Sequence, residues 1–175
     1  MNEKQMISFI FILKRNLINK IMEETNINVL YIDDEPNNIN SFKASFRRTF
    51  KVFTAESAEE GRKILASEEV HVILSDQRMP KETGIEFFQS ILKSHPDPIR
   101  ILITGYTDIN AVIDAINVGQ VYKYLTKPWN EEDIKNFIIK AFEVVDLRQK
   151  NRELTERLID ANTKLEFLAR QGLLS

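Results

Sequence analysis

The chain has no cysteine among its 175 residues. That excludes disulfides, thiolate metal centres and a cysteine nucleophile. Histidine is nearly absent as well. His71 opens an apolar run and His95 precedes Pro96, so neither has a partner at metal-ligand spacing and nothing points to zinc or a histidine-based active site. Charge of one sign is missing too. The net charge of −2 supplies no basic field to attract nucleic acid. Long apolar runs are lacking. Met6 to Leu13, broken by Ser8, is far short of the roughly 20 residues that a membrane span requires. Lys14-Arg15-Asn16 follows it where a signal peptide needs small residues. Residues 1–26 therefore read as a leader, helical or disordered, with Met22 as an alternative start. The expected location is the cytoplasm, away from membranes.

What is present is ordinary for a chain that buries a core: 43% hydrophobic and 29% charged residues. Its length fits one domain with an extension. Asn28 to Ile32 is a short β-type run ending in Asp33-Asp34-Glu35-Pro36. Pro36 suits a first helical turn, and Ile39, Phe42, Phe46 and Phe50 follow at helical spacing. Lys51 to Thr54 is a second strand. Ser57 and Glu60 then have capping-box spacing at the start of a second helix. Val70 to Ser75 is a third strand leading into Asp76. A helix from Gly84 to Leu92 places Ile85, Phe88, Ile91 and Leu92 inward. Ile99 to Ile103 is a fourth strand ending in Thr104-Gly105. A fourth helix spans Asp108 to Val118, and Val121 to Leu125 is a fifth strand ending in Thr126-Lys127-Pro128. Asn130 caps a fifth helix with three acids in its first turn.

Five near-continuous apolar strands alternating with helices predict an α/β fold. The expected form is a doubly wound five-stranded parallel sheet, buried on both faces, with an extended C-terminal helix. Ligands in such sheets bind beyond the strand C-termini. The residues there are Asp33, Asp34, Asp76, Thr104 and Lys127. Singly, each has an ordinary reading as a turn, strand exit or surface residue. Together they place three carboxylates near one lysine and one hydroxyl. A hard divalent cation relieves the repulsion between the acids. An aspartate so placed can accept a phosphoryl group as an acyl phosphate, with the cation and lysine facing the transferring oxygens.

This set resembles the receiver domain of two-component response regulators. The residues that carry it are Asp33-Asp34, Asp76 with Met79-Pro80 and Thr83-Gly84, Thr104, and Lys127-Pro128. The resemblance covers about residues 27–145 and implies the flavodoxin-like strand order 2-1-3-4-5. It implies that Asp76 is the phosphoacceptor, with Thr104 and Lys127 as its catalytic partners. Asp34, Asp76 and the backbone carbonyl of Arg78 would bind Mg²⁺ (or Mn²⁺), and Asp33 would do so through water. Thr104 and Tyr124 would form the switch that alters the face made by the fourth helix, fifth strand and fifth helix. The donor would be a sensor histidine kinase or a histidine phosphotransfer protein. Asp76-Gln77-Arg78-Met79-Pro80, Leu102 to Tyr106 and Tyr124 to Trp129 are similar to receivers joined to HD-type phosphodiesterases and to hydrogenase regulators. Gly105 departs from the family's usual alanine. Arg78 and Tyr106 line the path of attacking water, so their bulk is expected to slow loss of the phosphoryl group. A phosphocarrier that hands its group to a histidine phosphotransfer protein is the alternative function. An aspartyl-phosphate phosphohydrolase would need an acid where Arg78 stands, so turnover catalysis is not expected.

From Glu131 to Gln171 there is no glycine or proline, so one helix can run for roughly 40 residues, about 60 Å. Val144, Leu147, Asn151, Leu154, Leu158, Ala161, Leu165 and Leu168 alternate in steps of three and four. They form a heptad seam in which Asn151 favours a two-stranded parallel pairing. Residues 146–175 thus read as a coiled-coil extension of the fifth helix that makes a homodimer. The competing reading is a helix folded back on its own domain. Residues 131–175 carry nine acids and eight bases without a basic stripe, so direct DNA binding is not expected.

Overall fold

The computed structural model describes residues 5–6, 27–105, 112–114, 116 and 121–173. Five strands form a single parallel sheet in the order β2-β1-β3-β4-β5. They are β1 (Asn28–Ile32), β2 (Lys51–Ala55), β3 (Val72–Asp76), β4 (Ile99–Thr104) and β5 (Lys123–Thr126). Helices α1 (Pro36–Phe46), α2 (Ala58–Ser67) and α3 (Gly84–Ile91) follow the first three strands. One long helix, Glu131–Leu173, follows β5. Asp108 to Val118, expected to be helical, falls mostly outside the described residues; 112–114 and 116 are helical. The expected leader over 1–26 lies outside them except for residues 5 and 6.

Alternation along the strands divides the core in two. Val29, Tyr31, Val72, Leu74, Ile101 and Ile103 face α1 and the long helix. Leu30, Ile32, Ile73 and Leu102 face α2 and α3. Two-sided burial holds for β1, β3 and β4, whose residues are all buried. It does not hold for β2 and β5, which are the sheet's edges and are partly exposed.

Local details refine the expected elements. Phe50 is buried but lies beyond α1, its N–H donating to the Phe46 carbonyl. Ser57 accepts the Glu60 N–H, but the Glu60 carboxylate accepts from the Glu56 N–H, so that capping box is half-formed. The complete box is Thr83 with Glu86, at the start of α3. On α3 the deeply buried residues are Phe87, Phe88 and Ile91, whereas Ile85 and Leu92 are only half-buried.

The long helix is capped by Asn130, whose Oδ1 accepts the Asp133 N–H at 2.8 Å. Its buried residues, Ile134, Ile138, Ile139, Ala141, Phe142 and Val145, all precede residue 146. Beyond them the leucines are exposed: Leu147, Leu154, Leu158, Leu165 and Leu168 are each 56–71% accessible. The extension therefore does not fold back onto the domain. At 3.6 residues per turn these leucines lie roughly opposite the face buried by Ile134, Ile138 and Val145. Val144 is an exception within the expected seam. It packs on the domain's own core, so the free stripe begins at Leu147. Arg152 reaches back to Asp97, in the loop before β4, at 2.5 Å. Among the described residues no helix is long and apolar enough to cross a membrane.

Candidate functional site

The strand ladder sets out the functional residues one by one. Asp33 follows β1, and its N–H donates to Ala55 of β2 at 3.2 Å, continuing the ladder one step. Asp76 ends β3, in register with Ile103 of β4. Thr104 ends β4, and its carbonyl accepts the Lys127 N–H at 2.9 Å. Each group thus stands at the C-terminal rim of a neighbouring strand. Chain order reverses between β1 and β3, where α/β sheets open a crevice for ligands.

At that crevice Lys127 joins the two buried acids. Its ammonium lies 3.2 Å from Asp33 Oδ2 and contacts Asp76 Oδ1 directly. To do so, its side chain crosses over the end of β4. Asp33 is fully buried and densely bonded. It accepts from the Tyr31 hydroxyl at 2.7 Å, the Glu35 N–H at 2.9 Å and the Asn38 amide at 3.1 Å. Asp76 accepts the Arg78 N–H at 2.6 Å. Asp34 is half-exposed and makes no hydrogen bond or ion pair among the described residues.

Burial and pairing compete here, with different outcomes at the two partners. At Asp76 burial is the stronger influence. Aided by the neighbouring Asp33 charge, it raises the carboxyl above its usual range against the pull of Lys127 and the Arg78 N–H. At Lys127 burial acts downward, but the combined pull of Asp76 and Asp33 outweighs it and holds the ammonium above its usual range. One cation serving two carboxylates strengthens its own charge while leaving each acid incompletely compensated. The Tyr31 hydroxyl is also pushed up, first by burial and then by its bond to Asp33, so it stays a donor.

The expected residues do not all meet. No group of three acidic or histidine side chains stands ready to hold a metal among the described residues. Lys127 instead closes on Asp33 and Asp76 as an internal counter-ion. The donor chemistry nonetheless fits a hard divalent cation: the acids offer only oxygen, and Asp34 is uncommitted. Thr104 is buried, and its hydroxyl donates to the Gly105 carbonyl at 3.1 Å rather than to Asp76. A Cβ at Gly105 would meet nothing within 4 Å among the described residues. Tyr124 is half-buried against the core on the α2–α3 side. Tyr106 lies outside the described residues.

Four residues have a structural role at the site that sequence reasoning did not assign. Tyr31 and Asn38 hold Asp33, and the strand period of two already put Tyr31 on the same face as Asp33. Gln77 braces the loop after Asp76: its N–H donates to Ile103, its side-chain oxygen accepts from Ile85, and its carbonyl accepts from Gly84 at 3.1 Å. Gly84 is required sterically. A Cβ there would strike the Asp76 carbonyl and come within 2.7 Å of Leu102 Cδ1.

Comparison with known proteins agrees with this geometry. A family model described as the response regulator receiver domain matches residues 29–139. The hydrogenase transcriptional regulatory protein HoxA of Cupriavidus necator is 33% identical over 154 residues, covering 88% of this chain and 32% of that protein. The response regulator protein PilR of Pseudomonas aeruginosa is 29% identical, covering 75% of this chain and 28% of that protein. The chain thus spans about a third or less of these curated relatives. Among solved structures, the signal receiver domain of an HD domain-containing protein from Pseudomonas fluorescens Pf-5 matches with a TM-score of 0.66 and 26% identity, covering 70% of this chain and 98% of that one. A chain described as adenylate cyclase from Rhodopirellula baltica matches at 0.72 and 32%, covering 75% and 98%. Both kinds of relative expected from the wording around Asp76, hydrogenase regulators and HD-linked receivers, are among the matches.

Proposed function

Because the chain belongs to the family of response regulator receiver domains, we propose that Asp76 accepts a phosphoryl group from a phosphohistidine of a sensor kinase. A carboxylate oxygen of Asp76 bonds to phosphorus as the phosphorus–nitrogen bond of the donor breaks, and the imidazole leaves. The observation that carries this reading is the Lys127 ammonium, held between Asp76 and Asp33 at the C-terminal rim of the sheet. It stands where negative charge gathers on the transferring oxygens. Asp33, Asp34, Asp76 and the Arg78 carbonyl would hold Mg²⁺ or Mn²⁺, which when bound supplies the positive charge that three acids and one lysine lack.

The chain acts as a phosphoacceptor and not as a turnover enzyme, since Arg78 stands where a phosphohydrolase places its second acid. Thr104, freed from the Gly105 carbonyl, donates to the new phosphoryl oxygens. Tyr124 then moves into the space that Thr104 vacates. That movement changes the surface around β5 and the first turns of the long helix. The exposed stripe from Leu147 to Leu168 pairs with a second copy, and Asn151 sets a parallel register. Phosphorylation at one end of the domain thereby reaches the paired helices.

Intact-mass measurement after incubation with a small phosphodonor and Mg²⁺ tests this reading. Wild type should gain one phosphoryl group and Asp76→Ala none. Equal gain by both would place the acceptor elsewhere.

A further inference from the structure

The loop that leaves Asp76 is closed at its base and open at its tip. At the base, the Gly84 N–H donates to the Gln77 carbonyl, and the Arg78 N–H donates to Asp76 Oδ2. Met79 is buried beneath. The tip, Pro80-Lys81-Glu82, projects outward, and Lys81 sits at φ 71°, a left-handed conformation uncommon for a residue with a side chain. A cleft lined by Ser57, Glu59, Pro80, Lys81 and Glu86 separates this tip from α2.

One side chain of α2 crosses that cleft. The Arg62 guanidinium grips both carboxylate oxygens of Glu82, at 3.0 and 2.6 Å. The same guanidinium donates to Ser90 Oγ of α3 at 2.9 Å and lies over the Phe87 ring at 5.7 Å. Arg62 therefore binds α2, α3 and the loop tip at one point. The fork matters, because two parallel bonds fix an orientation that a point charge does not. The pair is partly exposed, Arg62 by 40% and Glu82 by 23%. It sits next to the strained Lys81, where a local conformation persists only if its surroundings hold it.

We propose that Arg62 is a positioning residue for the phosphoryl group at Asp76, acting through Glu82 and the backbone of residues 78–82. This rests on the reading of Asp76 as the phosphoacceptor. With the tip clamped, the Arg78 N–H stays on Asp76 Oδ2 and the backbone beside the acid keeps its course. Loss of the phosphoryl group consumes one water. The water oxygen bonds to phosphorus, the bond from phosphorus to the Asp76 oxygen breaks, and carboxylate, inorganic phosphate and a proton are released. A tip free to swing uncovers the line along which that water arrives. The clamp thus sets how long the signal lasts, from a site on α2 that touches neither Asp76 nor Lys127.

Two readouts test this on the full chain. The first is hydrogen exchange at the Arg78 amide in metal-free protein. The second is the lifetime of the phosphoryl group on Asp76. Arg62→Ala should speed exchange by roughly fivefold, the upper end for a partly exposed ion pair, and should shorten the lifetime. Arg62→Lys should fall between Ala and wild type, because it keeps the charge and loses the fork. The exchanged pair Arg62→Glu with Glu82→Arg should restore both values toward wild type. Unchanged exchange in a folded Arg62→Ala protein would overturn the proposal, as would faster exchange with an unchanged lifetime. If wild type takes up no phosphoryl group, the reading of Asp76 fails separately, and the exchange rates alone decide whether Arg62 holds the loop.

Discussion

Replacing Gly84 by alanine should damage the domain far more than replacing Gly105. The added methyl at position 84 meets the Asp76 backbone carbonyl, lies 2.7 Å from Leu102 Cδ1 and 3.1 Å from Ser75 Oγ. A leucine methyl can turn aside, but the carbonyl of the last residue of β3 is fixed by its register with β4. Overpacking of this kind costs about 1–3 kcal/mol, and a rigid neighbour puts the cost at the upper end. The stiffer unfolded chain returns about 0.4–1 kcal/mol. The net expectation is a loss of about 2 kcal/mol, or a melting midpoint lower by about 6–10 °C for a domain of this size. At Gly61 the methyl would meet Ile32 Cδ1 at 2.6 Å, the movable end of a side chain. Alanine is also the better helix former by about 1 kcal/mol, so Gly61→Ala should come out near neutral. At Gly105 nothing among the described residues lies within 4 Å, so Gly105→Ala should be neutral or slightly stabilising. Urea unfolding of the three variants, compared at constant slope, gives the ranking. A Gly84→Ala protein as stable as Gly105→Ala would refute the argument that close approach to the Asp76 carbonyl is what requires glycine.

Two further expectations concern pH and assembly. Burial lowers the basicity of His71 despite the nearby Glu69, so the unfolded chain binds the proton more readily than the folded one. The resulting stability is complete above the ordinary histidine value of 6.5 and is lost as pH falls below it; His71→Gln should flatten that part of a stability–pH profile, and an unchanged slope would count against it. In the long helix, Leu158→Asp should abolish pairing, whereas Asn151→Leu should tighten it and loosen its register; sedimentation that finds Leu158→Asp still dimeric would move the interface elsewhere.

Much of the site was readable because it follows from strand ends. Asp33, Asp76, Thr104 and Lys127 each close an apolar run, and a parallel sheet brings such ends to one rim. The role of Lys127 was less legible. Its spacing from the acids in sequence says nothing of side-chain reach, and only the folded rim has it bridging two carboxylates that were expected to face a metal. The reciprocal half of a capping box was hard to read for a similar reason. Ser57 with Glu60 and Thr83 with Glu86 share one pattern, and the difference lies in where the glutamate turns: to Glu56 in the first case and to Thr83 in the second. Phe87 fell outside the expected inward set, although its neighbour Phe88 was within it. Both are buried because α3 is short and sits deep against the sheet. The Arg62–Glu82 link joins residues 20 apart with no periodic relation, and no local rule announces it.

The long helix is buried to Val145 and pinned to the domain once more, at Asp97 by Arg152. The 21 residues beyond Arg152 then stand clear, a rod of about 30 Å at 1.5 Å per residue. Such a rod is a lever with its fulcrum beside the starts of β3 and β4, at the end of the sheet opposite Asp76. A tilt of about 5° at its root carries the far end through roughly 3 Å, about half a helical turn. If the proposed phosphorylation of Asp76 tilts that root, even a rearrangement too small to expose new surface would be magnified into a displacement large enough to repack one helix against another. The gain grows with the length of the arm, so shortening it by whole heptads should reduce the response in steps while leaving the chemistry at Asp76 untouched.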